Sequence, residues 1–132
     1  MMDRNVESRI SDALSALHAH LHGKAPSAAR TYIAGDDVVV VVLEETFTPA
    51  EQALVDRGEA GGIQELRRRL RRVMADDFAA IVEQATLRRV RSYISDTDLA
   101  EQVSIEVFLL GASLENMSGF EPAGDGEGSG GS

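Results

Sequence analysis

The chain has 132 residues, a formal net charge of −9 and no cysteine. That length fits one domain, and the missing cysteines exclude disulfide scaffolds, thiolate zinc sites and cysteine nucleophiles. So acidic a chain is repelled at long range by nucleic acid and anionic membranes.

The polar opening Met1-Met2-Asp3-Arg4-Asn5 leads into no signal-type apolar core, and a cytoplasmic protein is expected. Val6, Ile10, Leu14, Leu17 and Leu21 recur at spacings of three and four. They predict an amphipathic helix over 4–22, ended by Gly23 and Pro26. Two strands follow at 30–34 and 38–43, joined by a hairpin turn at Gly35-Asp36-Asp37. The second, five valines and a leucine, does not alternate and predicts a strand covered on both faces, by helices and by a partner subunit. It is also the longest apolar run, far short of the ~20 residues that span a bilayer.

Thr48-Pro49-Ala50-Glu51 combines an N-cap, a first-turn proline and a capping-box glutamate, so a short helix starts there and stops near Gly58. Gly61-Gly62 is expected to separate it from a long helix over 63–85. The apolar stripe of that helix is Ile63, Leu66, Leu70, Val73, Met74, Phe78, Ile81, Val82 and Ala85. Two more strands are predicted at 88–94 and 103–110, with a polar connector over 95–102. In the last strand Val103, Ile105, Val107 and Leu109 alternate with Ser104, Glu106 and Phe108, the pattern of a half-buried strand.

The order α-β-β-α-α-β-β predicts an α+β two-layer sandwich: a four-stranded antiparallel sheet with helices on one face. The domain is placed at 1–110. Residues 111–132 hold four acidic side chains, no basic one, and a closing Gly/Ser-rich run, and are expected to form a disordered tail.

No catalytic constellation stands out, and no enzyme, cofactor or metal is expected. His18, His20 and His22 resemble a metal box. On a helix only His18 and His22 share a face, and a third ligand is missing from the local sequence. The expectation is three solvated histidines near a helix end, where the dipole favours them. Asp96, Asp98 and Glu101 lack the rest of a calcium loop and read as a solvated connector.

Residues 63–94 run against the overall charge, with eight basic and four acidic side chains. Arg68, Arg69 and Arg72 fall on the polar side of the long helix. Pairs Glu65–Arg69 and Arg72–Asp76 are expected there at i,i+4. Few aromatics accompany them, and no nucleic-acid partner is expected. Arg67 differs: it falls inside the apolar stripe, between Met74 and Phe78 in angle. Asp77 falls between Leu66 and Leu70. A charge there requires a partner. The two lie ~15 Å apart along the helix and cannot serve each other. Glu44 or Glu45, from the same or a second chain, is the expected partner of Arg67.

Three local motifs, Gly23-Lys24-Ala25-Pro26, Thr48-Pro49-Ala50-Glu51 and Glu65-Leu66-Arg67, occur in order with the closing strands. In this the chain resembles the bacterial MpsC-like family over about residues 6–110. It departs from the family where Ala25 replaces a second glycine, where Leu87 stands for the glycine before the third strand, and in a longer last connector. The resemblance implies a part in a Na+-translocating, membrane-potential-generating system without specifying a reaction. The expected protein is a soluble, non-catalytic interaction module and a homodimer. Its partner would be a membrane-associated cation-transport component, met without direct membrane insertion. Lys24, Pro26, Arg30 and Arg67 are the candidate binding or interface residues. The alternative is a regulatory protein that binds an anion or nucleic acid through its Arg-rich helix.

Overall fold

A computed structural model describes residues 4–45 and 47–114. The elements run α1 (Arg4–His22), β1 (Ala28–Ala34), β2 (Val38–Glu44), α2 (Pro49–Asp56), α3 (Ala60–Thr86), β3 (Arg88–Asp98) and β4 (Val103–Ser113). Both hairpins join into one antiparallel sheet of order β1-β2-β4-β3, with β2 and β4 paired at its centre. This is the expected α+β sandwich. Ile10 and Leu14 of α1 and Met74, Phe78 and Val82 of α3 share one core with Val39, Val41, Leu43, Phe108 and Leu110 of the sheet.

Several boundaries moved for identifiable reasons. Gly61 and Gly62 lie inside α3 and do not separate the helices. β3 runs on to Asp98 because Asp96, Thr97 and Asp98 pair with Ile105, Ser104 and Val103, and ladder pairing overrides weak strand propensity. The turn that remains, 99–102, closes with Gln102 in the left-handed region at φ 54°. β4 continues through residues 111–113, which the sequence assigned to the tail. The rest of that tail, 115–132, lies outside the described residues.

β4 inverts the ordinary reading of its alternation. Ser104, Glu106, Phe108 and Leu110 are buried against the helices, while Val103, Ile105, Val107 and Leu109 are not. The register decides this. Leu43, Val41 and Val39 stand opposite Ser104, Glu106 and Phe108, and residues directly opposite share a face. Phe108 and Leu110 fill the core, and the inward polar groups find partners there: Ser104 Oγ lies 2.7 Å from Thr97 Oγ1, and Glu106 accepts from the Tyr93 hydroxyl.

The buried stripe of α3 is narrower than its apolar sequence. Ile63, Arg67, Met74, Phe78 and Val82 are buried; Leu66 and Val73 are 50% and 68% exposed, and Asp77 is exposed beside them. Asp77 therefore has water and needs no partner. α3 ends at Leu87, which sits in the left-handed region at φ 60°, ψ 29°, and donates its N–H to the Glu83 carbonyl. Glycine is the usual residue at such a cap, which gives a physical reason for the glycine that Leu87 replaces. Ala25, the other departure, is not in that region.

The start of α2 is as expected. Glu51 N–H donates to Thr48 Oγ1 at 3.2 Å, and Thr48 N–H donates to Glu51 Oε1 at 3.0 Å. Replacing Thr48 by Ala is expected to cost ~1 kcal/mol, measured as the shift between paired urea melts. An unchanged midpoint would mean that the cap does not hold α2.

Candidate functional site

The buried charges gather at one end of the sandwich. Periodicity puts them there. His18 continues the buried row Ile10–Leu14 by one more turn of α1. Glu45, just past β2, keeps the parity of Val39, Val41 and Leu43 and so turns toward the helices. Arg67 follows Ile63 by one turn of α3. Glu51 is the capping-box residue of α2. The segment carrying Glu45 is tied to the β3–β4 turn: Glu45 N–H donates to the Gln102 carbonyl at 2.8 Å, and Phe47 N–H donates to Gln102 Oε1 at 2.9 Å.

Arg67 is the hub, with 3% of its side chain exposed. Its Nε and Nη2 donate to the two oxygens of Glu51 at 3.1 and 2.8 Å, a bidentate pair. Its Nη1 donates to Glu45 Oε1 at 2.6 Å, and its Cζ lies 6.0 Å from the centroid of the Phe47 ring. Glu51 thus serves two ends at once, closing the cap of α2 and holding the guanidinium. His18 Nε2 lies 3.0 Å from Glu45 Oε1, while its Nδ1 lies 3.3 Å from the Lys24 carbonyl. The His22 ring stacks on His18, centroids 3.9 Å apart and planes at 15°.

The electrostatics follow from this packing. Burial alone would raise the Glu45 carboxyl. Hydrogen bonds from His18 and Ser104 and the charge of Arg67 outweigh it and hold the group down at about 2. Glu51 is likewise lowered against its burial, chiefly by the Arg67 hydrogen bond. His22 is lowered by burial and by the neighbouring His18. Elsewhere on the same side of the sheet, burial pushes the Glu106 carboxyl up and the Tyr93 phenol up.

The four candidate residues scatter. Lys24 and Arg67 meet at the cluster, Lys24 through its carbonyl on His18 and its Nζ 3.4 Å from the Phe47 carbonyl. Pro26 is partly buried in the connector before β1. Arg30 is exposed on the far face of the sheet, its Nη2 3.1 Å from Glu44 Oε2. Of the two expected acceptors for Arg67, Glu45 is used and Glu44 is not, and the pair forms within one chain. The Arg67 region therefore needs no second copy to neutralise it.

The histidine expectation is corrected in part. His20 is exposed, but His18 is 5% exposed and built into the cluster. The signal was its place four residues after Leu14 and eight after Ile10. Along α3 the arginines are partly paired as expected: Glu65 takes Arg68 at 2.7 Å and Arg69 at 3.1 Å. Arg71 turns onto Thr97, and among the described residues Arg72 has no ion pair with Asp76. Asp96 and Asp98, expected in a connector, stand at the end of β3, where they accept from the backbone of Thr97 and Glu101.

Breaking a buried pair from one side strands the remaining charges. Arg67→Ala is expected to cost about 3–5 kcal/mol, and Arg68→Ala, on the solvated face, under about 0.5 kcal/mol. Denaturant melts of the two variants measure this. Equal stabilities would contradict the assignment of Arg67 as the hub.

No curated protein and no solved structure matches the chain. A family model does, over residues 2–112, and its description is Na+-translocating membrane potential-generating system (MpsC). Two motifs that carried the resemblance, Thr48-Pro49-Ala50-Glu51 and Glu65-Leu66-Arg67, meet in the Glu51–Arg67 pair, and the chain belongs to the MpsC family.

Proposed function

We propose that the protein is a non-catalytic interaction module of a Na+-linked, membrane-potential-generating system, and that it works as a homodimer through the open face of its sheet. Family membership supports the setting. Among the described residues no helix is long and apolar enough to cross a membrane. In this reading the module meets a membrane-associated partner by docking.

The observation that carries the dimer is the uncovered sheet face. All the helices that pack on the sheet lie on the other side. The open face presents Val38, Val40 and Val42 of β2 beside Leu109, Val107 and Ile105 of β4. Ile94 is 59% exposed at the β3 edge and Tyr32 52% at the β1 edge. A contiguous apolar surface of this kind is typical of an interface.

A second copy suits it because the face is self-complementary. One register row reads Arg30, Val42, Ile105, Asp96 across the four strands. A two-fold axis along the strands reverses that row on the facing sheet. Arg30 of each copy then stands over Asp96 of the other, and the aliphatic centres meet. The anion-binding alternative has less support. Arg68, Arg71 and Arg72 do border a concavity of about 280 Å³ with Tyr93 and Ser95, but Glu65 and Thr97 already engage two of the three.

Sedimentation velocity across the micromolar range tests the dimer. The wild type is expected to sediment as a dimer, and Ile105→Glu, which places a charge in the centre of the face, as a folded monomer. A wild-type monomer throughout that range would overturn the reading.

A further inference from the structure

We propose that His18, His22 and Glu45 form a binding site for one divalent first-row transition-metal ion of the Zn2+ class. The site is independent of the dimer interface, since it lies on the helix side of the sheet. Each residue offers one ligand atom, and these atoms all lie within 4.8 Å of one another. Two come from one helix and the third from the residue just past β2, so the fold, not the local sequence, supplies the third ligand that the histidine motif lacked.

The donor atoms are already oriented. A backbone carbonyl can only accept, so the contacts of His18 Nδ1 with the Lys24 carbonyl and of His22 Nδ1 with the His18 carbonyl, both 3.3 Å, place an N–H at each Nδ1. That leaves Nε2 as the nitrogen each ring can offer to a metal ion, and His18 Nε2 already faces Glu45 Oε1. Metal-bound imidazoles have this arrangement, with the second nitrogen tied to an oxygen acceptor that fixes tautomer and ring. The two rings stack face to face one helical turn apart, with centroids 3.9 Å apart and planes 15° from parallel. Glu45 is anchored in its turn by Arg67, the part that an outer-shell group plays for a ligating carboxylate.

Charge points the same way. Glu45 and Glu51 carry two negative charges against the single positive charge of Arg67. A buried group of charges with a net negative sum is stabilised by a further cation. In the metal-free protein His18 Nε2 and Glu45 Oε1 meet directly at 3.0 Å. The metal ion enters between these two atoms and replaces their direct contact. Two imidazole nitrogens and one carboxylate suit Zn2+ or Co2+ and not Mg2+ or Ca2+, which take oxygen ligands. Three protein ligands leave the fourth tetrahedral position open, and the partly exposed His22 lies on the accessible side.

The test uses the full chain without a polyhistidine tag, stripped with chelator and titrated calorimetrically with ZnCl2. The Co2+ absorption spectrum reports the ligand geometry. One equivalent of Zn2+ is expected to bind, with no response to Mg2+. His22→Ala removes a ligand but leaves His18, Glu45 and Arg67 in contact; it is expected to fold normally without metal and to bind at least about tenfold more weakly. His20→Ala, on the exposed side, is expected to bind as the wild type does. No saturable Zn2+ binding by the wild type would overturn the proposal. Equal weakening by His20→Ala and His22→Ala would also overturn it, because it would mark adventitious binding by surface histidines.

Discussion

A guanidinium that is 97% removed from water must be surrounded by acceptors, and the end of this sandwich is arranged around that requirement at Arg67. Its partners come from two other places in the chain: Glu45 beyond β2 and Glu51 in the first turn of α2. α2 is short and touches little else, with α3 its principal neighbour. Its position depends on one glutamate that both closes its cap and grips α3. An ion pair of this kind adds little net stability relative to an apolar replacement of the same shape. Its effect is on geometry, because the planar fork of arginine fixes the direction and distance of each partner. It sets where α2 lies against α3 and aims Glu45 at His18.

The sheet has two unlike faces, and the division between them is not the usual polar against apolar. The helix side carries the aromatic core together with Ser104, Glu106, Thr31 and Glu45, all buried and partnered. The open side carries mostly branched hydrocarbon. This distribution makes sense when the open side is also an interior surface, covered after association. The inward polar groups would then specify register within the chain, and the outward aliphatic row would supply the area for pairing between chains.

The element order, the four-stranded sheet and the capping box of α2 were legible because each rests on local chemistry: period 3.6, runs of β-branched residues, and Thr-Pro-Ala-Glu spacing. Arg67 was legible as a problem, since its angle on the helical wheel falls among Ile63, Met74 and Phe78, and Glu45 as one of its answers. Glu51 was hidden by its own success as a cap, which gave it a complete local explanation. His18 was hidden because histidine reads as polar although its position continues the row from Ile10 and Leu14. The alternation of β4 was legible but its inward face was not, because its register is fixed by pairing with β2, and no local pattern reports a non-local register. The same blindness hid the third donor beside His18 and His22, which lies 23 residues beyond the second.

The central claim is that Arg67 and Glu51 act as one unit that fixes α2 to α3. A double-mutant cycle on Arg67→Met and Glu51→Gln, read from urea melts, measures that coupling directly. A coupling energy of about 1–3 kcal/mol is predicted, with the double variant well above the stability expected from adding the two single losses. Additivity within about 0.5 kcal/mol would contradict the claim.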